Sequence, residues 1–423
     1  MLGRCPIGPP GLVRIDSALD CVLAASILAT VPVPSFANSA MDGYALRSAD
    51  VVDVPTELIV TEAVMAGSGP AGPIEPGRAV RIMTGAPMPE GADAVCMVED
   101  TELAVGGGKV VIHTTPKRGG NVRQPGEDIV AGQKVFGPGT VLGPSHLGVL
   151  ASIGIERVPT YPRLRVGVLS TGDELTGGGE PLGYGKIWDS NRQVLLAAAR
   201  QAGCEVVDLG IAGDDERALT DVLLRGAERC DAIITSGGVS MGDRDMVKLV
   251  LGSITRGDMQ WLQVAIKPAK PFAFGVLSDA DIPVFGLPGN PVSAMVSFEL
   301  LARPALRRMA GHEVIDRPLV AAVADGAMLR RRDGKIHFPR VVARWEHDGV
   351  MRVTPMAGQQ SHQLWTTAEA NGLAVLPDGD GFDAGARVEV LLLDSERAMG
   401  SPDSSAAFRA LTEPMPLVGG LFP

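Results

Sequence analysis

"DAIITSGGVS" (residues 231–240) runs from a short apolar stretch into two glycines flanked by hydroxyls, and "MGDRD" (241–245) then adds two aspartates. Four consecutive apolar or β-branched residues followed by Gly-Gly read as a buried strand that ends in a loop. Glycine lets a backbone approach a ligand closely, and successive N–H groups in such a turn point at anions. Aspartates repel anions unless a cation lies between. The loop therefore suits either a phosphate with a divalent cation or a plain turn followed by a helix cap.

The surrounding residues decide the fold. "LRVGVLST" (164–171) and "CEVVDLGIA" (204–212) read as further strands, and "DSNRQVLLAAARQAG" (189–203) and "DERALTDVLLRGAERC" (215–230) as capped helices. "RDMVKLVLGSI" (244–254) reads as a helix, "MQWLQVAI" (259–266) as one strand, and "PFAFGVLS" with "IPVFGLPG" (271–289) as a hairpin. "NPVSAMVSFELLARPALRRMAG" (290–311) opens with a first-turn proline and reads as a long helix. Strands alternating with helices imply an α/β fold with a doubly wound, mostly parallel central sheet. The loops "STGDEL", "AGDDE", "TSGGVSMGDRD", "IKPAKP" and "GLPGN" all follow apolar strands. In such a sheet they converge on one crevice, where ligands bind.

At 423 residues the chain exceeds one core and implies about three domains. A net charge of −11 speaks against a general nucleic-acid or anionic-membrane surface, so an anionic ligand needs a local basic pocket. Five scattered cysteines without C-x-x-C point to a reducing, cytoplasmic setting without disulfides. The six histidines show no paired metal-ligand spacing. Residues 51–145 and 317–394 alternate short β-like runs with glycine and proline, which predicts small β domains on both flanks, with boundaries near 159–163 and 312–318. "CVLAASILATVPVP" (21–34) is too short for a membrane span. With Ile15, Leu19, Val22, Leu23 and Ile27 on one face, it predicts a core-facing helix. The Ser/Ala/Pro-rich end from Ser395 predicts a frayed tail.

Lys267 and Lys270 in "KPAKP" stand three apart between prolines. A polyproline II segment turns once in three residues, so both ammoniums would face one side and share a multivalent anion. Glu174, Asp214 and Asp245 lie in strand-end loops. Taken singly, such acids are helix caps; taken together around "SGGVS" and "GLPGNP", they suit a hard cation beside a phosphate. No Walker A sequence occurs.

"NSAMDGYALR", "MTGAPMPEGADAVCMVED", "NVRQPGEDI", "LSTGDEL", "DSN", "SGGVSMGDRD", "IKPAKPFAFG" and "GLPGNPVSA", in this order, resemble the MoeA family of molybdopterin molybdenumtransferases, which includes the E domain of gephyrin. The resemblance runs from about residue 12 to residue 394. It implies an elongated N-terminal domain (1–46 with 126–160), a small β-rich domain (47–125), a molybdopterin-binding α/β domain (161–313), a C-terminal β-barrel (314–395) and a flexible tail (396–423). The implied reaction inserts molybdenum from molybdate into adenylylated molybdopterin and releases AMP, with Mg2+, in a cytoplasmic homodimer. Molybdopterin adenylyltransferase and apo-molybdoenzymes are the implied partners, with no nucleic acid and no membrane.

By the same resemblance, Thr171, Gly172, Asp173, Ser236, Gly237, Gly238, Ser240, Pro288, Gly289, Asn290 and Ser293 bind the pterin substrate. Glu174, Asp214 and Asp245 are acidic site residues, the last two as metal ligands. Lys267, Lys270, Arg340 and Ser361 serve the molybdate site with Ser293, and Asp42, Thr84 and Asp128 come from the other subunit. This sequence departs from the family at its N-terminus, which lacks a first helix, and at Ala37, Gly120 and Ala269, the last replacing a usual glycine. Two other readings are adenylyl transfer by the α/β domain and a non-catalytic pterin-binding scaffold.

Overall fold

Arg165–Thr171 (β1), Glu205–Ala212 (β2) and Ala232–Ser236 (β3) are strands, with helices Asn191–Gln201 (α1) and Glu216–Ala227 (α2) between them. Met246–Ile254 (α3), Gln260–Gln263 (β4), Pro271–Leu277 (β5) and Ile282–Leu287 (β6) follow. This computed structural model describes residues 1–67, 69, 72–239, 246–277 and 281–399. The spatial order is β2-β1-β3-β6-β5-β4; β2, β1, β3 and β6 are parallel, and β5 runs against both its neighbours. Successive strand residues point to opposite faces. Val168, Ile234 and Phe285 therefore pack with Leu195 and Phe298, whereas Leu169, Ile233 and Val284 pack with Leu219, Leu223 and Val250. Helices on both faces make the sheet doubly wound, as the alternation predicts.

The last helical stretch holds Pro291–Ser297 (α4), a π turn at Phe298–Ala302 and Arg303–Met309 (α5). Pro304 lacks the N–H that an α-helix would offer to Leu300, and the ladder widens just there, with Arg303 N donating to the Phe298 carbonyl. Leu319–Ala324 (β7), Arg340–Trp345 (β8), Met351–Pro355 (β9), Gly372–Val375 (β10) and Arg387–Leu392 (β11) then close a barrel in the order β7-β9-β8-β10-β11, with Leu364–Glu369 (α6) between β9 and β10.

The chain divides into two compact units: Pro10–Tyr161, and Met1–Pro9 with everything from Pro162 onward. In the first unit, six strands between Gly43 and Ile112 form one sheet, and Gly11–Arg14, Arg157–Tyr161 and Val22–Leu23 form another. The helix expected over 21–34 is absent. Val22–Leu23 and Ile27–Leu28 are short strands instead, and Leu19 is exposed. Leu23 N donates to the Thr140 carbonyl (2.9 Å) and Ala29 N to that of Gln133 (2.8 Å), so distant segments take the bonds a helix would have closed locally. "MQWLQVAI" is likewise split: β4 ends at Gln263, and Ile266–Lys267 pairs with Ile336–His337 in another sheet.

In the second unit the N-terminal residues form a single 3-10 turn, Leu2–Arg4, after which Cys5 is fully buried against the α/β core. Gly8 N donates to the Met309 carbonyl (2.9 Å). At the other end, Ala398 is buried in the barrel core and Arg397 donates to the carbonyls of Ala368 and Glu369, both at 3.0 Å. Ala398 thus packs where a frayed tail was expected, and residues 400–423 lie outside the described residues. No helix among the described residues is long and apolar enough to cross a membrane.

One side chain completes the barrel ladder. β10 pairs with β8 only at Arg340 and Val341. Beyond that, Asn371 Oδ1 accepts from Ala343 N (2.7 Å) and Nδ2 donates to the Ala343 carbonyl (2.9 Å), with Asn371 only 2% exposed. Asn371→Ala leaves both backbone groups buried and unpaired, and a loss of about 2–4 kcal/mol is expected in urea unfolding. A change below about 0.5 kcal/mol would show that water replaces the amide.

Candidate functional site

Because β1, β2, β3 and β6 are parallel, their following loops meet at one edge. They form a crevice of about 520 Å3 lined by Thr171, Gly172, Glu174, Asp214, Gly237, Gly238, Pro288, Gly289 and Asn290. The glycines are structural requirements here. Gly237 has φ +93°, and a Cβ on it would lie 2.6 Å from the Thr171 carbonyl oxygen; Gly238 has φ +66°, with Val247 in the same space. Ser236 is buried at the end of β3, and Asp173 Oδ1 accepts from Asp214 N at 2.9 Å. Burial, then the neighbouring Asp173 and Glu174, raises the Asp214 pKa above the usual carboxylate value. Ser240 and Asp245 lie outside the described residues.

A second cavity, about 920 Å3, shares Pro271 with the first. Lys267, Lys270, Ser293 and Ser361 all line it. β5 runs opposite to the other strands, so the loop that enters it starts at the same sheet edge as the crevice. Hydrogen bonds then draw the barrel side inward. Ile336 N donates to the Ala265 carbonyl (2.9 Å), Phe338 N to that of Lys267 (2.8 Å), and Val292 N to that of Ser361 (3.1 Å). The polyproline II expectation for "KPAKP" fails, because Ala269 has φ +80° and is buried. Both lysines still face one cavity, held by backbone pairing to residues 336–338. Neither has an ion-pair partner among the described residues.

Arg340 stands elsewhere than expected. It is 1% exposed and does not line the cavity. Its Nη1 donates to the Gln363 carbonyl (2.8 Å) and Thr367 Oγ1 (3.0 Å), and its Nη2 to the carbonyls of Gly358 (2.9 Å) and Gln360 (3.2 Å). Nε and the backbone N both reach Gln359 Oε1, at 3.3 and 3.0 Å. A guanidinium so engaged has no donor left for a ligand; it holds the loop that carries Ser361. The cavity cations that sequence reading missed are Lys335 and Arg331. The signal was the run "RRRDGK" (330–335), within which only the fold separates roles. Arg330 is consumed by Asp333, Asp378 and four carbonyls, whereas Lys335 faces the cavity with Nζ 3.5 Å from Asp333.

Asp42, Thr84 and Asp128 belong to the N-terminal unit and are exposed there. Asp42 Oδ1 accepts from Thr84 N (2.7 Å) and Thr84 Oγ1 (2.8 Å), which lowers its pKa. Among the described residues, no group of three or more His, Cys, Asp or Glu side chains is arranged to hold a metal ion unaided.

Models of the MoeA N-terminal region (domains I and II), of a probable molybdopterin-binding domain and of the MoeA C-terminal region (domain IV) match residues 2–154, 167–308 and 326–393. The chain belongs to the MoeA family. It is 39% identical over 363 residues to a molybdopterin molybdenumtransferase of Haemophilus influenzae, covering 86% of this chain and 88% of that one. It is 40% identical over 377 residues to molybdopterin molybdenumtransferase 2 of Mycobacterium tuberculosis, covering 87% and 91%. A crystal structure of a molybdopterin biosynthesis MoeA protein from Pyrococcus horikoshii superposes with a TM-score of 0.73 at 30% identity, covering 93% of this chain and 97% of that one. The MoeA fold thus agrees with the central α/β sheet and the closed barrel anticipated above.

The two kinds of cation separate by substitution. Arg340→Met orphans several buried acceptors and is expected to cost about 3 kcal/mol or more, with the 358–363 loop becoming cleavable by protease. Lys267→Ala, an exposed side chain without an ion-pair partner among the described residues, is expected to stay within about 0.5 kcal/mol of the parent in the same urea titration. Comparable losses would mean that Lys267 is structural.

Proposed function

We propose that this protein inserts molybdenum from molybdate into adenylylated molybdopterin and releases AMP. The observation that carries the reading is the pair of adjoining cavities. One is glycine-rich and acidic at a sheet edge; the other presents Lys267, Lys270 and Lys335 with the hydroxyls of Ser293 and Ser361. Molybdate is a tetrahedral dianion, and ammonium and hydroxyl donors suit it. The larger cavity also has an apolar wall that includes Met328, Phe338 and Met356, which suits the organic part of the substrate.

In this reading the Gly237–Gly238 backbone, Ser236, Ser240 and the Pro288–Asn290 turn hold the phosphate end of the pterin substrate. The lysines offset the charge of molybdate beside it. Asp214 and Asp245 would hold Mg2+ with Glu174 beside them; burial and then the neighbouring carboxylates raise the Asp214 pKa, and a divalent cation offsets that clustered negative charge, so the donor set fits. When bound, the ion would offset charge on the phosphate oxygens. Asp42, Thr84 and Asp128 would be supplied by the partner subunit of a homodimer, making assembly a condition for activity. A cytoplasmic place between an adenylyltransferase and apo-molybdoenzymes completes the proposal.

The test combines purified protein, adenylylated molybdopterin, Mg2+ and molybdate, and follows AMP release and activation of an apo-molybdoenzyme. Molybdate-dependent AMP release coupled to activation is expected. Pterin binding without turnover would instead favour a scaffold, and consumption of ATP with unadenylylated molybdopterin an adenylyltransferase. Lys267→Ala or Lys270→Ala should raise the molybdate requirement about tenfold or more while pterin affinity stays within about twofold. Equal loss of both would refute the division between the cavities. Asp214→Asn should raise the Mg2+ concentration for half-maximal AMP release about tenfold, and an unchanged requirement would remove it from the ion site.

A further inference from the structure

The segment "DSN" contributes a residue to which no role has yet been assigned. Asn191, the first residue of α1, is half-buried beside the crevice. Its Nδ2 donates to Ser236 Oγ and to the Gly289 carbonyl, both at 2.7 Å. A carbonyl oxygen only accepts, so the group facing Gly289 must be the NH2, and the same NH2 meets Ser236. Asp189 fixes the base of this helix: its carboxylate accepts from Ser170 Oγ (2.9 Å) and from Arg192 N (3.1 Å). Asn191 is thereby held between the end of β3 and the turn after β6.

Two consequences follow from elementary geometry. Ser236 Oγ already accepts from Asn191, so its single proton is directed away from the amide. The peptide between Gly289 and Asn290 is trans, and its C=O and N–H point in opposite directions. With the Gly289 carbonyl drawn to Asn191, the Asn290 N–H is turned to the opposite side. Gly289 and Asn290 line the crevice, and Ser236 directly precedes Gly237, which lines it too.

We propose that Asn191 is a positioning residue that ties the two loops together and aims two donors, the Ser236 hydroxyl and the Asn290 N–H, at the substrate phosphate. This rests on the reading of the crevice as the phosphate site. Asn191→Asp keeps the shape but removes both donors. Its carboxylate repels the Gly289 carbonyl and accepts the Ser236 proton, turning that proton away from the ligand.

The experiment measures equilibrium binding of adenylylated molybdopterin to the full-length protein under anaerobic conditions, with circular dichroism melts as the control for folding. Asn191→Asp is expected to weaken binding about 30-fold, and Asn191→Ala, which leaves the hydroxyl free to rotate, about 5-fold. Ser236→Ala is expected to cost about 10-fold by itself, and adding Asn191→Asp to it less than about 5-fold more, since the residue acts partly through that hydroxyl. Equal losses in Asn191→Asp and Asn191→Ala, or losses that simply multiply with Ser236→Ala, would overturn the positioning role. Should Asn191→Asp fail to fold, the Asn191→Ala and Ser236→Ala pair gives the same coupling. No binding by the unaltered protein would overturn the crevice reading, and the clamp with it.

Discussion

Phe338 N donating to the Lys267 carbonyl, with Ile336 N donating to that of Ala265, is the contact on which the cationic cavity depends. Each such bond contributes only about 1 kcal/mol net. The gain lies in what the pairing brings with it. Ile266, Ala269, Val292, Val296, Phe338 and Leu373 form one buried cluster between the sheet and the barrel. Apolar burial there offsets the cost of gathering several ammonium groups on one wall. A loop carrying two unpaired lysines would otherwise spread in water, where nothing favours one arrangement. The backbone, rather than any salt bridge, sets their direction, and so their charge stays available to a ligand.

That arrangement divides the electrostatic problem in two. A phosphate and an oxyanion repel each other, and a single basic pocket would bind either without ordering them. Here the acids Glu174 and Asp214 sit in the crevice, the lysines sit in the larger cavity, and Pro271 is the wall in common. The first compartment offers glycine-rich backbone beside carboxylates; the second offers lysine ammonium groups. In a chain of net charge −11, the lysines of this wall supply the larger cavity with local positive charge.

Helices, whose hydrogen bonds close locally, and buried strands with continuous apolar runs were legible in the sequence. The helices Asn191–Gln201 and Glu216–Ala227 and the strands between them read directly, and the glycines of the crevice mark backbone at positive φ. Short segments completed by distant partners were not legible. Residues 21–34 carry a helical apolar pattern, yet the N–H groups of Leu23, Ala24, Ala29 and Val33 go to residues 129–161. Arg340 and Lys335 show the same limit on the functional side. Both are cations in "KIHFPR", and nothing local says that one is walled in by Gly358, Gln360 and Gln363 while the other faces the cavity. The resemblance pointed to this segment, and only burial separates the enclosed guanidinium from the cavity-facing ammonium.

Ala269 shows how the seam holds a side chain at positive φ. A side chain at φ +80° costs about 1–2 kcal/mol relative to glycine. Its methyl, however, is 3% exposed within the cluster that joins sheet and barrel, and burying one methyl-sized group returns about 0.8 kcal/mol. Alanine also restricts the unfolded chain more than glycine does, which returns about 0.4–1 kcal/mol. The two gains nearly cancel the strain. The substitution is therefore close to neutral for stability, and it narrows the backbone freedom of the residue between Lys267 and Lys270. A stiffer loop holds two like charges at a fixed separation without needing a ligand to order them.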